Sequence, residues 1–392
     1  MSTGTRIGLV VAGGGAKGAY EAGALSVLLP WMVDRGTRPS VLVGTSAGAL
    51  NVVALGGLAH LDAREATEFL VDTWGTVRPS DVFGLTSGIG TGLRYAGQLA
   101  GLSVRIPSLL DPRRLRTKLA QQLPLEQLHR NIDEGLVDAV AVTTTSVTTG
   151  GTVVFLESND AVDVPPDDPA RNITYVRTEL TVDHVLASAA VPLLFRPVRI
   201  SQPSCWRGWY IDGGLRLNAP LVPAVELGCR TLGVVATQPL SSQTPRPPTG
   251  RASELAAPLP DGPPPDVYAI AALALRNLLA DRMVEDIRLL GSHRHGENAV
   301  DIVFAGPPEH RKAEIAELAD RVFRRYGYTR AVRSPELWML TRLIGGAPED
   351  HGNLLSYLFF DSEFTTRAAA LGADHAAEHM NVIGDRGRDE SR

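Results

Sequence analysis

Cysteine is almost absent from this chain. Cys205 and Cys229 are the only two in 392 residues, and their separation fits no metal-ligand spacing. A chain this long also needs no disulfide framework to hold a core. Lysine is nearly as scarce: Lys17, Lys118 and Lys312 stand alone among 38 basic residues, so positive charge is carried by arginine. With a net charge of -5 and no long run of one sign, nothing points to a nucleic-acid partner. Long apolar runs are missing too. The longest, about Ala22 to Val33, falls short of the roughly 18 residues that a membrane-spanning helix needs. Residues 1–6 lead into a strand without a basic segment and a following apolar one, so no signal peptide is expected. The reading is of a cytoplasmic chain that can still touch a membrane surface.

What is present is a globular composition, 44% hydrophobic and 21% charged, which allows one large domain or two ordinary ones. Ile7–Val11 reads as a buried strand. The glycine run Gly13-Gly14-Gly15 follows, with Lys17 and Gly18, and then a helix that Pro30 is expected to end or kink. Val41–Val43 is the next strand, breaking at Gly44, and a helix begins right after Ser46 and runs through Ala59. The order of strand, glycine loop, helix, strand, turn and helix implies neighbouring parallel strands with right-handed crossovers. Their loops gather at the C-terminal edge of the sheet.

Residues 62–75 look helical. Between 78 and 128 the pattern loosens and glycines interleave with apolar residues, reading either as a surface insertion or as a lid over an apolar substrate. Strands follow at 137–143 and 152–156, with a turn at Gly150-Gly151. A helix spans 182–190, and short strands cover 209–211 and 232–236. Residues 239–266, rich in proline and serine, read as a flexible linker. A periodic helix follows at 267–290, then a strand at 299–304, and the tail is helical at 309–326, 335–344 and 353–379. A lone strand needs a sheet to join, so the chain after the linker is expected to return to the first sheet. The domain prediction is therefore one α/β domain over 5–305, with the helical extension 306–392 packed on it.

Gly44-Thr45-Ser46-Ala47-Gly48 has the G-x-S-x-G spacing that drives a serine hydroxyl out at a strand-to-helix turn. By itself the pattern is weak, since chance would produce it in about one of five chains of this composition. Its context makes it informative. Acyl transfer from an ester to water needs a nucleophile, a base, oxyanion donors and exclusion of water. Ser46 supplies the first, and three consecutive glycines at a helix start can aim their N–H groups outward together. Lys17 adds positive charge there or is solvated. For the base, none of the nine histidines has a strand-end setting. His184 reads as a packed or capping residue. Asp212 instead ends a short strand just before Gly213 and Gly214, at the sheet edge that carries the serine.

These three motifs, in this order, resemble the patatin-like phospholipases. Ser188-Ala189-Ala190-Val191-Pro192 and the stretch from Leu354 to Asp374 resemble further segments of that family. The resemblance implies a three-layer α/β/α sandwich around a central, mostly parallel sheet. It also implies a Ser46–Asp212 dyad, an oxyanion hole at Gly13, Gly14 and Gly15, and supporting roles for Lys17, Gly18, Gly44, Gly48, Gly213 and Gly214. Lys17 stands where the family usually has arginine, which removes any bidentate role. Lipid or phospholipid substrates are implied, with no metal and no organic cofactor.

Three rivals remain. Gly13-x-Gly15-x-x-Gly18 also matches a dinucleotide-binding fingerprint, but that wants an acidic residue at the end of the second strand, where Gly44-Thr45-Ser46 stands. An α/β-hydrolase with a histidine triad would need more strands ahead of the elbow. A lipid-binding or regulatory protein on the same fold, or an acyltransferase using another acceptor, would keep the motifs and change the outcome.

Overall fold

The computed structural model describes residues 6–82, 84–85, 110–111, 113–192, 194–240, 300–331 and 348–389. Its strands in chain order are β1 (Arg6–Val11), β2 (Val41–Thr45), β3 (Gly84–Leu85), β4 (Leu110–Asp111), β5 (Ala139–Ser146), β6 (Thr152–Ser158) and β7 (Ile173–Arg177). They continue with β8 (Val198–Ile200), β9 (Gly208–Asp212), β10 (Cys229–Val235) and β11 (Asp301–Ala305). The main sheet runs β11-β10-β1-β2-β5-β6-β7, and β3 pairs only with β4. Strands β11, β10, β1, β2 and β5 are mutually parallel, whereas β6 returns antiparallel to β5 through the Gly150-Gly151 turn. The sheet is mostly parallel, as its buried, β-branched strands require.

Alternation along each strand divides the core between two faces. Leu9, Val11, Leu42, Val140 and Val142 pack on one side, while Val10, Val41, Val43, Ala139 and Ala141 pack on the other. The first face is covered by α1 (Gly18–Val33), α2 (Ala47–Gly57), α3 (Ala63–Gly75) and the C-terminal helices. Among the described residues the second carries the helix Leu221–Glu226. The result is an α/β/α sandwich.

Several expectations are refined. Helix α1 continues past Pro30 to Val33, because a proline in the last turn costs one hydrogen bond while Leu28 and Met32 gain full burial. Helix α2 stops at Gly57, two residues short of the expected end. Part of the loose 78–128 stretch is regular: Arg113–Gln122 and Leu125–Asp133 are helices. Leu115 and Leu119 carried that helical spacing, obscured by the glycines before them. Strands β3, β4, β7 and β8 are additions. Strand β11 pairs in parallel with β10, so the chain returns to the main sheet. The expected tail helix becomes two, Pro348–Leu358 and Ser362–Asp389. The glycine-rich part of the expected lid, most of the linker, the helix at 267–290 and that at 335–344 lie outside the described residues.

The last helix lies across α1. A Cβ on Gly23 would strike the Ala369 carbonyl, and one on Gly372 would strike that of Tyr20. The C-terminal residues are thereby locked onto the helix that begins at the glycine loop.

Candidate active site

Strand β5 has two neighbours on one side, placed end to end. Strand β2 covers it as far as the pair Thr45–Thr143, and β9, running the opposite way, takes over at Thr144–Asp212. Strand β2 therefore ends where β9 ends, and the next residue of one chain run, Ser46, meets the last of the other, Asp212. The sequence placed Asp212 at the correct edge. The antiparallel, head-on approach is what brings the two residues into contact distance.

Ser46 holds φ 54° and ψ -121° as it turns into α2, a backbone region that costs a non-glycine residue about 1–3 kcal/mol. The turn is held by its surroundings. The Ser46 N–H donates to Ser188 Oγ at 2.9 Å, and the Asp212 N–H donates to the Ala190 carbonyl at 3.0 Å. The segment 188–192, singled out by its resemblance alone, thus ties both residues to one support. Gly48 lets α2 approach the glycine loop, since a Cβ there would run into the carbonyls of Val11 and Ala12.

Asp212 is buried. Its Oδ1 accepts the Gly214 N–H at 2.7 Å, and Thr145 Oγ1 donates to its carbonyl at 2.9 Å. Burial raises its carboxyl pKa to about 7, against smaller lowering by the Gly214 N–H and the Ser46 hydroxyl. The hydroxyl is close enough to be felt electrostatically, yet among the described residues Oδ2 has no partner in hydrogen-bonding geometry. Hydrogen bonds between catalytic acid–base pairs are often long or poorly aligned before substrate binds.

The glycine loop requires a correction. The Gly13 N–H is already donated to the Asn218 carbonyl at 3.0 Å, and Asn218 Nδ2 donates back to the Gly13 carbonyl at 3.2 Å. Gly13 is a clamped hinge whose N–H is used. The N–H groups of Gly14 and Gly15 meet no acceptor among the described residues, leaving two donors at the N-terminal end of the helical run. Gly15 takes φ +56°, and a Cβ on it would hit the Tyr357 carbonyl. Lys17 is not solvated: it is buried, with Nζ 3.7 Å from the centre of the Tyr357 ring, a cation–π contact. Tyr357 belongs to the helix Pro348–Leu358, so the Lys17 ammonium reaches that helix. His184 is a buried capping residue as expected. Its Nδ1 accepts the Thr181 N–H at 3.0 Å, and burial lowers its pKa to about 4.

Two spaces meet at Ser46. One is an apolar cavity of about 110 Å³, lined by Leu50, Leu70, Trp74, Leu119, Leu194 and Phe195 among others. The other is a smaller cleft of about 20 Å³ that holds Gly13, Gly14, Gly15, Asp212, Gly214 and Asn218. Tyr357 and Leu358 wall both. Sequence reasoning noticed their segment but did not bring it to the site, and it missed Asn218, for which no local pattern existed.

The family model described as patatin-like phospholipase matches residues 9–225, from β1 through the helix Leu221–Glu226. The chain belongs to the patatin-like phospholipase family. Members of this family are lipid acyl hydrolases in general. The matched span contains Ser46, Asp212 and the glycine loop, while Tyr357 and Leu358 come from beyond it. Among solved structures, the chain is similar to VipD from Legionella pneumophila, with 14% identity and a TM-score of 0.36, over 96% of this chain and 67% of that one. No curated protein matches.

Proposed function

We propose that this patatin-like chain cleaves carboxylic esters of lipids through an acyl-Ser46 intermediate, with phospholipids and lysophospholipids as the first substrate class and acylglycerols the next. The observation that carries this reading is the position of Ser46, on a strained turn, at the junction of an apolar cavity and the cleft shared with Asp212. An acyl chain fits the cavity, which puts its carbonyl beside the hydroxyl and its alcohol half in the cleft. Asp212, as carboxylate, takes the Ser46 proton as Oγ attacks the carbonyl carbon. The N–H groups of Gly14 and Gly15 receive the charge that builds on the oxygen, and each such donor is worth about 10²–10³ in rate. The protonated Asp212 then releases its proton to the departing alcohol. In the second half Asp212 deprotonates a water molecule, which attacks the acyl ester, and the carboxylic acid leaves as Asp212 returns that proton to Ser46 Oγ.

A fluorophosphonate probe and a panel of p-nitrophenyl esters, phospholipids, lysophospholipids and acylglycerols test this reading. Covalent label on the peptide carrying Ser46 and turnover of long-chain esters are expected. A folded protein that is neither labelled nor active on any ester would sink the proposal in favour of a lipid-binding role.

The rate should also follow the ionisation of Asp212. The base form is the carboxylate, and its pKa is raised to about 7. Consequently kcat/KM should be half-maximal near pH 7, fall about tenfold per pH unit below that, and level off above it. A profile flat between pH 5 and pH 8 would remove Asp212 as the base.

A further inference from the structure

Beyond the end of β2, strands β5, β9 and β8 form a small antiparallel ribbon, and its register sorts the side chains into rows. Ser146, Tyr210 and Val198 pair across one row. They are buried, with Tyr210 edge-on to Phe155 at 5.2 Å. The adjacent row points the other way. Arg199 pairs with Trp209, and the Val147 N–H donates to the Trp209 carbonyl at 2.9 Å. Val147, Trp209 and Arg199 therefore stand side by side on the outer face. Trp209 is 52% exposed and Val147 49%.

Along the segments that build this row the exposed charge has one sign. From Phe195 to Ile211 the charged residues are Arg196, Arg199 and Arg207, all exposed, with no acidic residue, and from Ala139 to Leu156 there is no charge. This occurs in a chain of net charge -5. An exposed tryptophan flanked by arginines suits a lipid headgroup region, where an amphipathic ring finds both of its media and arginines meet phosphates. We propose that this row is a docking surface for an anionic phospholipid bilayer. It lies three residues before Asp212 on β9, roughly 10 Å along the strand, so docking here holds the reaction cleft near the interface. This deepens the lipid-hydrolase reading and rests on it for its purpose, but binding can be measured without turnover.

The test is cosedimentation of the full-length Ser46→Ala chain, which leaves lipid intact, with phosphatidylcholine vesicles with and without phosphatidylglycerol. Binding to the anionic vesicles, weakened by added salt, is expected. In the same background Arg199→Ser should weaken it about fivefold and Arg199→Glu about 25-fold. Trp209→Ser should weaken it roughly tenfold by removing the ring that enters the bilayer, while Trp209→Phe keeps most of it. With Ser46 intact, Trp209→Ser should hydrolyse soluble short-chain esters at the normal rate. Equal binding by all variants, or no binding of the parent to anionic vesicles, overturns the proposal, as does recovery of a stable protein complex on this face instead. A chain that binds vesicles through this row but cleaves no ester sinks the hydrolase reading and leaves the surface standing. Hydrolysis of soluble esters without vesicle binding does the reverse.

Discussion

Asp212→Asn is expected to lower ester hydrolysis by about 10⁴-fold while making the protein more stable at neutral and alkaline pH. The amide has the same shape and its oxygen can still accept the Gly214 N–H, so the turn at the end of β9 is kept. What it loses is the capacity to take a proton. The gain in stability follows from the raised pKa. The carboxyl has a folded value of about 7 against 3.8 for a free side chain. Below pH 3.8 both states are protonated and ionisation costs nothing. As pH rises from there to about 7, the unfolded chain releases its proton first and stability falls, and above 7 the full penalty remains, on the order of a few kcal/mol. Asparagine escapes it. Thermal unfolding of the two proteins at pH 4 and pH 8 should show curves that nearly coincide at pH 4 and separate at pH 8 in favour of the variant. Near-normal activity would sink the dyad, and equal stability at pH 8 would contradict the burial of the charge.

Ser46→Ala is expected to lower turnover further, by about 10⁴–10⁶-fold, and to abolish fluorophosphonate labelling. The fold should be barely affected, because the Ser46 side chain makes no capping hydrogen bond to α2 and the N–H that Ser188 holds is retained. The positive φ persists, so alanine relieves no strain. The two replacements should not add. With the nucleophile gone the base has nothing to activate, and the double variant should be about as inactive as Ser46→Ala alone. Multiplied effects would mean that Asp212 acts in another way, and retained labelling would place the nucleophile elsewhere.

The local parts of this arrangement were legible because neighbours in the chain make them. The run from β1 through the glycine loop, α1, β2 and Ser46 is set by short-range alternation, glycine placement and helix periodicity, and its elements follow in the order read. Asp212 stood out for the same reason, as a carboxylate at a strand end before two glycines. Where a longer-range term competed, the reading slipped. Burial of Leu28 and Met32 carries α1 past Pro30. Strands β7 and β8 are short and take their identity from the partners they pair with. Lys17 looked as much a surface lysine as a functional one until the helix Pro348–Leu358 laid Tyr357 against it.

By itself the sequence determined the α/β class and the strained serine turn, and it singled out the residues proposed to act on an ester, since each depends on steric limits and side-chain chemistry within a few residues. Only the tertiary structure decided that β2 and β9 share one side of β5, so that Ser46 and Asp212 meet. It alone took the Gly13 N–H for Asn218, gave the apolar cavity a wall from Tyr357 and Leu358, and turned Val147, Trp209 and Arg199 into one surface. Those outcomes rest on strand register and on contacts between distant segments, which are fixed by burial summed over the whole chain and leave no mark on any short stretch of it.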